Sequence, residues 1–516
     1  MAEAKNNSKI FIHYIIGIVL MFGFQFLPAV EPLTPFGMNI LGIFIGLAYL
    51  WSTTDGIWAS MLSFIALALS GYANFGEVLQ TALSNRNVLV IFFTLILFGS
   101  AVQCGLTKYI AHFFLTRKII DHRPVIFTFM MIFAAYIVSA LTDAIPAILL
   151  FWPIIYDALE DIGCKKRETY STLLVMGVFF GACLGSAVFP FKGAILIALS
   201  AFEGVAGQPV PYFGYTATNF ITATVIIILY SLMVKFIFRA DLSQVSHVDS
   251  AVFKARPIEP MNFSQKLHIV IIAAYIVLVM LSSILPETLP GAAFLKSLGA
   301  DGLALCMLII LLMVRHQGQP IFDFREVVHS GMRWNVYFMV ASAVYIAGAL
   351  KSPDTGILPF LKTVLSPVLG GHSELVFVLI LFFFAALVTC FFHNGVLANM
   401  LMPIVFAFSS AAGYNGVAIA AVLTMVINVS FLTPAASVYA PLLHTNRDWI
   451  TFKDVIISFI FFYLLQKCVI LYICLFVYLS CELLLFFFSF SDGRPIGLHA
   501  QSSGLTVLVH AMTKIA

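Results

Sequence analysis

Apolar runs of roughly the twenty residues needed to cross a hydrocarbon core recur along this chain from end to end. Inside such a run no water meets the backbone. Each amide and carbonyl must be satisfied within the segment, so the segment must be a helix. A transmembrane barrel would need short strands of alternating polarity, and these runs do not alternate. The chain is 61% hydrophobic and 10% charged over 516 residues, against roughly 45–50% apolar and ~25% charged for a soluble domain. No soluble core absorbs that excess.

Eleven spans are predicted, near residues 10–30, 36–52, 54–71, 88–116, 169–203, 212–238, 265–285, 298–314, 334–350, 415–443 and 454–488. Lys5 and Lys9 before the first run resemble a signal-peptide start, but with so many spans following, an uncleaved first helix is expected. Two further apolar stretches, 124–158 and 373–410, read as re-entrant helical hairpins. The segments TRKIIDHR (Thr116 to Arg123) and EDIGCKKRE (Glu160 to Glu168) flank the first stretch, and both are basic. A single crossing would leave one of them outside, against the positive-inside rule. Two tight crossings would satisfy the rule as well, but Pro146 and Pro153 leave little room for two full helices. With a cytoplasmic N-terminus and both stretches returning to the side they left, seventeen Lys and Arg from Lys5 to Lys453 fall in cytoplasmic loops. Only Arg86, Lys296, Lys351 and Lys362 fall outside.

An internal repeat supports the hairpins. SALTDAIPAILLFWPI (Ser139 to Ile154) aligns without gaps on TCFFHNGVLANMLMPI (Thr389 to Ile404) at a constant offset of 250 residues, ending in the pairs Pro153/Pro403 and Ile154/Ile404. Each segment is followed by a long span with a polar break. One hairpin enters from the cytoplasm and the other from outside, which is the inverted repeat of carriers whose site lies at the midplane between discontinuous helices. The fold expected is an all-α polytopic membrane protein with two inverted-topology repeats, eleven transmembrane helices and two re-entrant hairpins. The first repeat covers 1–239, a cytoplasmic linker 240–265, the second repeat 266–490, and an atypical tail 491–516. The tail fits no span; it reads equally as a tail without fold or as an extension from a shifted reading frame.

At these residues the chain resembles the divalent anion:sodium symporter family, over roughly residues 30–465. In that family each hairpin tip carries a Ser-Asn-Thr signature followed by an apolar run and a proline, and the next helix is unwound at a Thr-Pro-Pro-Asn-like stretch. Counting back from the prolines places Asp143-Ala144-Ile145 and His393-Asn394-Gly395 at the two tips, where Asn394 keeps the family residue. The unwound stretches would be GSAVFPFKGAIL (Gly185 to Leu196) and NVSFLTPAASVYAP (Asn428 to Pro441), which keep Pro190 and Pro434 but lack the Pro-Pro-Asn. The resemblance implies a homodimer in the cell membrane that moves a small anion by an elevator-like motion. It also implies Na+ as a coupling ion, near Asn394 and Thr433, with no other cofactor and no bound metal.

Asp143 and Lys192 are the ionisable side chains placed deepest, one at the first tip and one in the following break. A charge at the midplane costs at least ~2.5–3.5 kcal/mol on insertion scales, so such residues line a pathway or pair with each other. Lys192 is read as attracting a substrate carboxylate or replacing a coupling cation, with Asp143 as its partner or as a proton acceptor; a static ion pair or a snorkelling lysine is the alternative. His393, Asn394 and Gly395 sit where the amides of a helix start could face an anion, and a histidine there titrates near neutral pH. Asn428, Ser430, Thr433 and Ser437 offer hydroxyl and amide groups for a cation or an anion oxygen, or else only satisfy the backbone of a broken helix.

Other functions find less support. A net charge of +3, spread over short loops, excludes a nucleic-acid partner. The eight cysteines form no CxxC pair or cluster and read as small packing residues. No HExxH, GxSxG or Walker motif marks an enzyme. The expected function is a secondary transporter of small di- or tricarboxylate-like or inorganic anions, sodium- or proton-coupled. The alternative is a cation/proton antiporter using Asp143; Lys192 favours the anion.

Overall fold

In the computed structural model the apolar runs are helices, as the demand for internally satisfied backbone groups requires. The structure describes residues 2–469 apart from 55, 249, 255–258, 287, 391–393, 435 and 467. The first half contains α1 (Ala2–Gly23), α2 (Pro35–Thr53), α3 (Gly56–Leu69), α4 (Phe75–Ser84), α5 (Arg86–Gln103), α6 (Leu106–Leu115), α7 (Pro124–Leu141), α8 (Ala144–Ile162), α9 (Thr169–Ser186), α10 (Gly193–Ala206) and α11 (Tyr212–Phe236). After a short α12 (Ser250–Lys254) come α13 (Phe263–Ile284), α14 (Ala292–Met313), a hairpin of β1 (Arg315–His316) and β2 (Gln319–Pro320), α15 (Phe324–Gly331), α16 (Trp334–Lys351), α17 (Ile357–Leu369), α18 (Glu374–Val388), α19 (Asn394–Ala412), α20 (Gly416–Asn428) and α21 (Ala440–Thr445). Residues 452–466 are helical again. The chain is an all-α, multi-pass membrane protein.

Among the described residues eight helices are long and apolar enough to cross a membrane: α2, α5, α7, α9, α11, α13, α14 and α19. Two of these, α7 and α19, lie in the stretches expected as hairpins, so six match expected spans; most of the expected span 454–488 lies outside the described residues, and several other runs are broken by backbone geometry. The 88–116 run divides at Gly105, whose φ of 75° is the left-handed conformation that ends α5 and starts α6. The 169–203 run divides between Ser186 and Gly193, and the 415–443 run stops being helical at Asn428. The helices α4, α15 and α17 were not anticipated; α17 and α18 meet at 101°. The expected linker is held near its middle, where the Ser250 amide donates to Asp121 Oδ1 at 2.7 Å. That bond keeps the Asp121 carboxyl below its ordinary range. The expected tail, 491–516, lies outside the described residues.

Both α7 and α19 are long enough to cross, so length does not decide whether they are hairpin legs. Their surroundings locate them. Helix α7 runs parallel to α9 in a glycine seam: a Cβ on Gly181 would stand 2.5 Å from the Ile132 carbonyl, and one on Gly185 2.2 Å from the Tyr136 carbonyl. The end of α7 is therefore level with the end of α9, where the α9–α10 path breaks. Helix α8 returns antiparallel, with Trp152 Nε1 donating to the Val175 carbonyl at 3.1 Å. At the open end of this hairpin Thr172 donates to the Trp449 carbonyl. The open end of the α18–α19 hairpin lies at the far end of α10, where Gly416 packs against Phe202 and Ser409. The two hairpins thus approach the α9–α10 break from opposite ends.

The glycine seam yields a direct test. Gly185→Ala forces α7 from α9 and lowers stability by about 1–3 kcal/mol, as overpacking does, read as a fall in the thermal midpoint of the purified protein in detergent. Gly214→Ala is the control, since a Cβ at Gly214 meets nothing within 4 Å.

Candidate functional site

A helix broken at membrane depth leaves carbonyls without amides, and side chains must take their place. At the first break Tyr215 donates to the Ala187 carbonyl at 2.9 Å and Thr94 to the Phe191 carbonyl at 3.3 Å. At the second, Ser437 donates to the Ser430 carbonyl at 2.9 Å and Ser430 to the Ala436 carbonyl at 3.0 Å. Thr433 donates to the Cys390 carbonyl beside the second tip. The hydroxyls of Ser430, Thr433 and Ser437 are therefore engaged with backbone, which is the structural one of the two roles weighed for them.

Asn428 ends α20 and ties the two breaks together. Its Nδ2 donates to the Cys183 carbonyl and to Ser186 Oγ, both at 2.8 Å. Asn394, the first residue of α19, donates from Nδ2 to the Tyr439 hydroxyl at 3.0 Å and to the Asn428 carbonyl at 3.3 Å. The Tyr439 hydroxyl donates to that same carbonyl. Asn394 Oδ1 is buried and has no hydrogen-bond partner among the described residues. An unpartnered buried amide oxygen is costly in a protein interior, and a cation is one group that relieves it. Gly395 follows in the first turn of α19 and is buried. His393 lies outside the described residues.

The charged groups gather at the first tip. Asp143 stands immediately before α8 and accepts from the Ala144 amide at 2.5 Å through Oδ1. Its Oδ2 pairs with Arg333 Nη1, not with Lys192. Arg333 immediately precedes α16 and was placed by its sequence among ordinary loop cations. Lys192, just before α10, donates to the Ala140 carbonyl and, at 3.3 Å, to the Thr142 carbonyl, with its Nζ 4.5 Å from the centre of the Phe98 ring. Each charge suits its helix end: an ammonium meets the terminal carbonyls of α7, and a carboxylate meets the first amide of α8. Asp143 and Arg333 both act electrostatically on Lys192. Two basic side chains thus share one carboxylate at this tip.

Arg333 and Tyr439 are the site residues that sequence reasoning missed. Nothing local separates Arg333 from its basic neighbours. Tyr439 had a signal: a phenol inside an apolar run needs a partner for its hydroxyl.

Two interrupted helices, with a charged cluster at the start of α8, are an arrangement seen in carriers built around discontinuous helices. The profile of the sodium:sulfate symporter transmembrane region matches residues 8–480, and the chain belongs to that family. Among solved structures, the YdaH transporter of Alcanivorax borkumensis, described as having an unusual topology, is similar in fold. Its TM-score is 0.51 at 15% sequence identity, with 84% of this chain and 95% of that one covered. No curated protein matches the chain in sequence.

The Asn428 tie predicts a donor requirement. Asn428→Ala removes the amide that Cys183 O and Ser186 Oγ both accept from, leaving Cys183 O with the Ser186 hydroxyl alone, and costs about 1 kcal/mol, seen as a lower thermal midpoint. Asn428→Asp does not restore it, because a carboxylate cannot donate.

Proposed function

We propose that this protein is a secondary active carrier of small anions, of the di- or tricarboxylate-like or inorganic oxyanion class, driven by a sodium or proton gradient. The observation that carries the reading is the donor set at the first tip, where the Arg333 guanidinium, the Lys192 amine and the first amide of α8 gather around a single carboxylate, Asp143. Guanidinium, amine and helix-start amide are donors suited to an anion. A carrier of cations would gather carboxylates and carbonyls there instead. Asn394 Oδ1, buried at the second tip and unpartnered among the described residues, supports Na+ as the coupled ion.

In this reading α7–α8 and α18–α19 are re-entrant hairpins of two inverted repeats, and the cargo is held between the tips. The tied pair of breaks moves as one body relative to the remaining helices, in an elevator-like exchange of access. The chain acts as a homodimer in the cell membrane with its N-terminus cytoplasmic.

Uptake into proteoliposomes tests this. Labelled sulfate and a panel of di- and tricarboxylates are offered while sodium and pH gradients are imposed in turn. Accumulation of at least one anion under one gradient is expected, and Lys192→Met lowers it about tenfold or more, the worth of a charge-assisted hydrogen bond. No uptake of any anion under either gradient overturns the reading. Unchanged uptake by Lys192→Met removes Lys192 from the site.

A further inference from the structure

The donors at the first tip form the kind of set that binds a small oxyanion: an amide at a helix start, a guanidinium and a neighbouring ammonium. Their anion is already present, and it belongs to the chain. Asp143 takes the Ala144 amide with one oxygen and Arg333 with the other. We propose that Asp143 is a tethered counter-anion, which fills this position between substrates and is displaced from Arg333 when a cargo anion binds. The inference rests on the anion-carrier reading above and names the residue that sets its affinity and selectivity.

Three observations converge on it. First, the pair is within reach of water: the Arg333 side chain is 32% exposed and that of Asp143 26%, so an incoming anion can compete for the guanidinium. Second, the two partners are carried by elements that pack elsewhere. Arg333 leads into α16, whose neighbours include α10, α3 and α5, while Asp143 leads into α8, which packs on α9 and α7. The ion pair can therefore open without unpacking either helix. Third, Lys192 does not need Asp143, because its ammonium is held by the Ala140 and Thr142 carbonyls and by the Phe98 ring. Displacing the Asp143 carboxylate therefore leaves these contacts of Lys192 in place.

A carboxylate on a short tether competes at an effective concentration in the millimolar range. The apparent affinity for cargo is reduced by the fraction of time that the site is self-occupied. The carboxylate also subtracts one charge from the cluster, which weakens binding of dianions more than that of monoanions.

The test is binding of labelled sulfate and succinate to the purified full-length protein in detergent, at one pH and fixed ionic strength. Asp143→Asn keeps the size of the side chain and removes the competing charge; it is expected to tighten both dianions by about tenfold. Asp143→Glu retains a competing carboxylate and is expected to tighten them less than Asp143→Asn does. Arg333→Gln weakens binding in both the parent and the Asp143→Asn background. If Asp143→Asn weakens binding as much as Arg333→Gln does, or leaves it unchanged while its thermal midpoint matches the parent, the inference is overturned. Should Asp143→Asn fold poorly, Asp143→Ser is measured against the same criteria. Failure of the carrier reading is distinguishable: there neither the parent nor any variant binds or transports an anion, and this inference falls with it.

Discussion

The structure depends on one constraint: a helix interrupted inside a membrane must find side-chain partners for the backbone groups it exposes. Both interruptions meet that demand. Asn428 closes α20 and spends its amide on Cys183 and Ser186, at the end of α9. Asn394 and Tyr439 converge on the carbonyl of Asn428 itself. The second break thus lends a donor to the end of the helix before the first, while each break also caps its own carbonyls with neighbouring hydroxyls.

The charges follow from the same logic. A helix ending at membrane depth concentrates partial negative charge on its last carbonyls, and a helix starting there concentrates positive charge on its first amides. Lys192 at the end of α7 and Asp143 at the start of α8 answer these two ends. Arg333 is different. No helix end requires it there, and its pairing with Asp143 joins two elements otherwise held by separate neighbours. A charge without a structural reason is the better pointer to chemistry.

Much of the architecture was legible in the sequence because lipid enforces long apolar runs and because prolines at a fixed offset register the two halves. Counting back from Pro153 and Pro403 lands on Asp143-Ala144-Ile145 and His393-Asn394-Gly395, and α8 and α19 start at the matching residues Ala144 and Asn394. The breaks were legible for a related reason, since Pro190 and Pro434 interrupt otherwise continuous runs. Partner choice was not legible. Asp143 was matched to Lys192 by depth, whereas its partner lies 190 residues away on a helix start whose position depends on packing. The division of the 88–116 run was also hidden, since a single glycine in a left-handed conformation decides it. Likewise, hydropathy reports apolar length but not amphipathic helices such as α4, whose capping box of Asn74 and Glu77 is the stronger signal.

One feature on the side away from the tips fixes the frame. Within α14, Gly299 has a φ of 62°, and the space its missing Cβ leaves is filled by the Arg86 guanidinium, which also bonds Asp301 at 2.8 Å. The head of α5 is keyed into a notch in α14. Sliding either helix by one residue's rise, ~1.5 Å, would drive the guanidinium into backbone. The fit of guanidinium to glycine sets the axial register of α5 against α14.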